Sequence, residues 1–170
     1  MSARAPSLRL LANPVHLLSF GGGLGLAPVA PGTFGTLLGF PLAWALRALA
    51  AAAGAAAMWG LLALLFALAT WCADRTARML GSGDPGSIVC DEYLAFAALL
   101  LLVPAEPWTQ AWAFLCFRLF DVTKPPPVGW ADAHLHGGFG IMADDVLAAI
   151  WAAGLLYLLA RLGMPGGPLV

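Results

Sequence analysis

Charge is scarce in this chain. Of 170 residues, nine are acidic and eight are lysine or arginine, 10% in all, where a soluble domain carries about 25%. The formal net charge of −1 leaves no basic surface, which argues against nucleic acid as a partner. Cysteine is equally sparse. Cys72, Cys90 and Cys116 are odd in number, and their spacing suits neither a disulfide framework nor a zinc site, so they read as small packing residues in apolar helices. Residues 1–12 hold two arginines and little apolar length. They are expected to form a flexible cytoplasmic N-terminus, with no cleaved signal peptide.

What fills the chain instead is hydrocarbon: 61% hydrophobic residues and a mean hydropathy of +0.86. A single domain of this length cannot hide so much apolar surface in one soluble core. The expectation is one all-α domain over residues 1–170, a polytopic membrane bundle of about five embedded helices. Apolar runs and their punctuation place these helices at about residues 33–53, 56–80, 87–103, 108–122 and 143–162. The glycine-rich stretch 81–86 breaks the second from the third, and Pro104 and Pro107 break the third from the fourth. Pro125, Pro126 and Pro127 end the fourth, because proline lacks the amide that a helix needs. A full span takes about 20 apolar residues. The third and fourth helices fall short of that, so either their neighbours shield them or their charged ends lie at head-group depth.

Five crossings would put Arg4, Arg9, Arg75, Arg78, Arg118 and Lys124 on one side and Arg47 and Arg161 on the other. The basic excess marks the first side as cytoplasmic. The notable carboxylates fall there too: Asp91-Glu92, Asp121 and Asp144-Asp145, each at the end of an apolar run. An ionisable side chain at the edge of hydrocarbon is costly and points to function. Asp91 and Glu92 open a helix, where one acid suits the macrodipole; two adjacent acids fit better as ligands of a hard cation such as Mg²⁺. Arg118 and Asp121, three apart, share a helix face, and Lys124 follows. This is a local salt bridge, or a guanidinium fork and an ammonium for a phosphate. Asp144 and Asp145 point about 100° apart on their helix. The preceding His136-Gly-Gly-Phe-Gly140 reads as a loop whose amides can approach an anion. Pro31-Gly32-Thr33-Phe-Gly35 is a second candidate cradle through its amides and Thr33, or simply a helix start. His16 and His134 read as structural or interfacial.

Several phosphate chemistries are missing. The glycines at 21–25 lack the Gly-Lys-Ser/Thr of a Walker A loop. No Asp-x-Asp-x-Thr or Ser-Gly-His pattern occurs, nor the Asp-Gly-x-x-Ala-Arg of enzymes that join CDP-activated lipids to alcohols. Cys72 and Arg78 have the spacing of thiol phosphatases, but they continue a helical run without glycine, where no loop can wrap a phosphate around a thiolate.

Taken together, Asn13-Pro-Val-His-Leu17, Pro31-Gly-Thr-Phe-Gly35, Gly86-Ser-Ile-Val-Cys-Asp91-Glu92, Phe117-Arg118-Leu-Phe-Asp121-Val-Thr-Lys124-Pro125 and His136-Gly-Gly-Phe-Gly-Ile-Met-Ala-Asp144-Asp145 resemble the phosphatidylglycerophosphatase A family, in that family's order. Cys90 stands where the family pattern carries tryptophan, and His134 where asparagine is common. The resemblance implies a Mg²⁺-dependent hydrolase of the bacterial inner membrane, converting phosphatidylglycerol phosphate to phosphatidylglycerol and phosphate at the cytoplasmic side. It implies Asp91, Glu92, Asp121, Asp144 and Asp145 as metal ligands. Asp121, Asp145, Arg118 and Lys124 would be catalytic, and Arg118, Lys124, His136, Thr33 and Gly32 would hold substrate. A small cation or proton transporter using the same carboxylates is the alternative.

Overall fold

The computed structural model describes residues 7–81 and 86–162. Among these residues there are helices and turns and no strand, as the sequence predicts. The helices are α1 (Pro14–Ser19), α2 (Pro31–Leu37), α3 (Gly39–Ala53), α4 (Ala55–Leu80), α5 (Cys90–Leu101), α6 (Pro107–Thr123), α7 (Val128–His134) and α8 (Gly137–Arg161). Short 3-10 turns at Leu8–Ala12 and Gly21–Leu26 flank α1. Arg4 and residues 82–85 of the expected breaker lie outside the described residues.

The first expected helix is divided into α2 and α3. Pro41, in the first turn of α3, cannot donate to the Leu37 carbonyl and its ring crowds that position, so the chain breaks at Leu38 and restarts at Gly39. Gly54 and Gly81, both at positive φ, bound α4. Gly81 donates back to the Ala77 carbonyl in the left-handed cap that glycine favours.

The largest departure is at α8, which begins six residues earlier than expected, at Gly137 rather than 143. A glycine run reads as a loop, but here it is helix–helix contact: a Cβ on Gly138 would overlap the Thr70 carbonyl of α4. Asp144 and Asp145 therefore sit about two turns inside the helix and not in its first turn. The seven-residue α7 was not anticipated from the proline-rich segment. Residues 13–25 are held against the bundle. Asn13 caps α1 by accepting from the Val15 amide at 3.0 Å. His16 Nδ1 lies 2.8 Å from Thr76 Oγ1, whose hydroxyl donates to Ser19 Oγ at 2.9 Å. The Val89 amide donates to the Ser19 carbonyl. His16 is thus structural, and the glycine run at 21–25 folds as a turn against the start of α5, Gly25 abutting the Ser87 carbonyl.

Helix α5 runs through the centre. Its Leu94, Ala95, Phe96, Ala97, Leu99 and Leu100 are buried, and α3, α4, α6 and α8 pack around it. Phe40, Phe96, Phe114 and Phe117 form the aromatic core. Shielding by neighbours therefore explains why α5 is short. At its far end, the Arg47 guanidinium caps it by donating to the Leu100 and Val103 carbonyls, the latter at 2.6 Å. Cys72, Cys90 and Cys116 are buried and free.

Three helical stretches are long and apolar enough to cross a membrane: Pro31–Ala53, Ala55–Leu80 and Gly137–Arg161. Only 22% of the apolar window of α4 is buried within the bundle. Trp44, Trp59, Leu64, Trp71, Ile150 and Leu158 face outward. Exposed hydrocarbon on this scale is a lipid-facing surface. The fold is an all-α membrane bundle.

Candidate active site

The start of α5, the end of α6 and the part of α8 about two turns from its start meet at one end of the bundle. Glu92, in the first turn of α5, enters a slot opened by two glycines of the 31–36 segment. A Cβ on Gly32 would overlap the Glu92 carboxylate, and one on Gly35 would come within 2.6 Å of its Oε2. Gly32 thus makes room for an acid, where the sequence offered it as a phosphate contact. Asp91, also buried, accepts from the Glu92 amide at 3.0 Å, the role of an acid at a helix start.

Arg118 reaches this slot from α6. Its Nη1 donates to Glu92 Oε1 at 3.1 Å and to the carboxylate of Asp121, and lies 3.4 Å from the buried hydroxyl of Thr36. Thr36 in turn donates to the Gly32 carbonyl at 2.8 Å. One guanidinium therefore joins α2, α5 and its own helix.

At the end of α6, Lys124 adopts a left-handed conformation, φ 43°. Such a conformation is costly for a residue with a side chain. It ends the helix and carries Nζ to Asp144 at 2.9 Å and to Asp132 of α7 at 2.5 Å. Gly129 lets α7 lie against the Lys124 carbonyl, where a Cβ would come within 2.7 Å. Burial disfavours the Lys124 charge, but its hydrogen bonds to Asp132 and Asp144 outweigh this and hold it protonated well above the ordinary lysine range.

The two α8 acids diverge as the helical spacing requires. Asp144 meets Lys124, while Asp145, 3% exposed, interacts electrostatically with Asp91, Asp121, Asp144 and Glu92. Glu92 feels Arg118, Asp121 and Asp144. All five carboxylates are therefore near one another, with Arg118 and Lys124 among them. Burial pushes the Glu92 carboxyl up to about 8; Arg118 pulls against this, and Asp121 and Asp144 add to it.

Among the described residues, no three His, Cys, Asp or Glu side chains are grouped tightly enough to enclose a metal ion by themselves. The expected five-carboxylate shell is thus not assembled as a ready cage. The donor chemistry still suits Mg²⁺, which is ordinarily held by one or two carboxylates together with water and phosphate oxygens. Glu92 Oε2 and Asp145 Oδ2 are buried and have no hydrogen-bond partner among the described residues, which is expensive unless a cation or proton satisfies them.

Two expected residues stay apart. His136 is exposed at the start of α8, its Nδ1 2.8 Å from the His134 carbonyl, about 12 Å along the helix from Asp144. Thr33 is half-buried, and among the described residues no hydrogen bond joins its hydroxyl to the cluster; Thr36, one turn on, is the threonine that faces Arg118. Asp132, Thr36 and Asp74 were missed. Asp74 pairs with Arg78 at 2.9 Å and lies 3.4 Å from the Gly138 amide. The i, i+4 spacing of Asp74 and Arg78 and the glycine spacing around Thr36 were the available signals.

Comparison with known proteins decides the family. The family model for phosphatidylglycerophosphatase A matches residues 17–160. The chain belongs to the phosphatidylglycerophosphatase A family. It is 37% identical over 165 residues to the phosphatidylglycerophosphatase A of Escherichia coli K12, covering 92% of this chain and 90% of that protein. The corresponding protein of Haemophilus influenzae is 43% identical over 143 residues, 84% of this chain and 86% of its own length. A Bacteroides thetaiotaomicron protein with the provisional name phosphatidylinositol-3-phosphatase is 36% identical over 140 residues, 80% of this chain and 87% of its own. No solved structure matches. As a member of this family the chain is a phosphatase, and all the acids and cations described above fall within the matched span.

Proposed function

We propose that this protein removes the terminal phosphate of phosphatidylglycerol phosphate, with Mg²⁺, at the cytoplasmic face of a bacterial inner membrane. The observation that carries the reading is the charge of the site: five carboxylates gather around two cations. An anionic phosphate ester cannot approach such a cluster unaided, so a divalent cation must accompany it. Glu92 and Asp145, whose buried oxygens have no hydrogen-bond partner among the described residues, would hold the ion, and Asp91, Asp121 and Asp144 would lie near it. When bound, Mg²⁺ supplies Lewis-acid neutralisation of the phosphoryl oxygens.

The chain's own residues do the rest. Arg118 and Lys124 turn from their carboxylates to the non-bridging oxygens of the phosphate and neutralise charge as it develops. Asp121, released as Arg118 turns to the phosphate, orients a water and takes its proton as the water oxygen bonds to phosphorus. The bond from phosphorus to the glycerol oxygen breaks. That oxygen receives the proton, and phosphatidylglycerol leaves as an alcohol. Because the site lies at one end of the bundle, the lipid's acyl chains stay in the bilayer throughout. Support for a transport role is weaker, since the segments 94–101 and 146–153 that lead away from the site carry no ionisable side chain.

Detergent-purified protein should release inorganic phosphate from phosphatidylglycerol phosphate in Mg²⁺, and the release should stop in EDTA and return when Mg²⁺ is restored. No release in any metal condition would remove the reading. Sealed vesicles with substrate in only one leaflet would test the side.

A further inference from the structure

The mechanism leaves unused a groove of about 500 Å³ on the outer surface between α6 and α8. It is lined throughout by apolar residues and glycine, among them Phe120, Pro127, Leu147, Trp151, Gly154 and Leu158. Phe120 and Trp151 stack at 5.7 Å to form one wall. Its upper end neighbours the site along the chain: Phe120 precedes Asp121, Pro127 is three residues beyond Lys124, and Leu147 is three residues beyond Asp144. Its lower end is Leu158, eleven residues along α8 from Leu147, about 16 Å at the rise of an α-helix. Half of a hydrocarbon core about 30 Å thick is close to that depth. A Cβ on Gly154 would meet nothing within 4 Å, so this residue leaves the floor of the groove open.

We propose that the groove holds one acyl chain of the lipid phosphate whose head group is bound by Arg118 and Lys124, and that Gly154 sets the room for the distal part of that chain. The inference rests on the proposed function, because it needs a phosphorylated lipid in the site. Two features favour an acyl chain over a partner helix. Phe120, Pro127 and Leu147 of its lining lie one to three residues along the chain from Asp121, Lys124 and Asp144, and the span from Leu147 to Leu158 is that of one leaflet. A lipid anchored by its head group at Lys124 would find the groove directly below it.

The test fills the floor. In Gly154→Leu, with Gly154→Ala as the small control, kcat/KM for a sixteen-carbon phosphatidylglycerol phosphate should fall about tenfold through KM, as expected for displacing roughly two buried methylenes. A six-carbon substrate, too short to reach residue 154, should be processed as by the unmodified protein. An equal effect on both substrates, or none on either, would overturn the proposal. A second measurement does not need turnover. Phosphatidylglycerol phosphate carrying a diazirine in mid-chain should label the 147–158 segment, and unlabelled phosphatidylglycerol phosphate but not phosphatidylcholine should suppress the labelling. Labelling competed equally by both lipids would mean ordinary surrounding lipid and would sink the proposal, as would labelling absent because a second protein covers the groove. Specific labelling without phosphate release would leave the groove standing and remove the enzymatic reading instead.

Discussion

Removing the cation should make this protein less stable as the pH rises, and Glu92 sets the size of the effect. Its side chain is 13% exposed, and burial with Asp121 and Asp144 nearby holds its carboxyl up to about 8, against 4.5 for the free group. The folded state therefore keeps a proton that the unfolded chain gives up. The sign follows: the stabilisation is complete below about pH 4.5 and is lost as the pH climbs through 8. Each unit of difference is worth about 1.4 kcal/mol, so the full loss is at most about 5 kcal/mol, which corresponds to a fall in melting temperature on the order of 10 °C for a chain of this size. The assay is thermal unfolding in detergent with EDTA from about pH 5 to about pH 8.5. Saturating Mg²⁺ favours the deprotonated carboxylate and should flatten the curve. Glu92→Gln, which fits the slot between Gly32 and Gly35 without a titrating group, should flatten it in EDTA. A melting temperature in EDTA that stays level or rises through this window, or one that falls as steeply in Glu92→Gln, would refute the reasoning.

Asp121→Asn should cut phosphate release by at least about a hundredfold while leaving the helical circular dichroism unchanged; full activity would take Asp121 out of the site. Lys124→Gln should raise KM about tenfold or more by removing a phosphate contact, and a change confined to melting temperature would make Lys124 structural only. Gly35→Val should lose about 1–3 kcal/mol by crowding Glu92 and Val89, together with most activity. An unaltered Gly35→Val enzyme would contradict the slot.

The charged residues were legible because the chain has so few of them. In a sequence this apolar, Asp91, Glu92, Arg118, Asp121, Lys124, Asp144 and Asp145 stand out, and the structure gathers them at one end. Helices α4, α5 and α6 were legible from their glycine and proline boundaries. The start of α8 was not. Glycine signals a loop when it supplies conformational freedom and a helix contact when it removes a side chain, and only the neighbour, here the Thr70 carbonyl, tells which applies. The same ambiguity hid the role of Gly32, whose missing side chain serves Glu92. Asp132 was illegible because its partner Lys124 is brought to it by a left-handed turn and by a helix, α7, that the prolines masked.

The central claim is that acids distant in sequence share one cation with the phosphate of the substrate. Electron paramagnetic resonance of bound Mn²⁺, standing in for Mg²⁺, tests this most directly. The account predicts a Mn²⁺ signal that inorganic phosphate sharpens, with coupling to phosphorus, and that Asp145→Asn and Glu92→Gln each abolish. Mn²⁺ binding that ignores phosphate and survives both substitutions would contradict it.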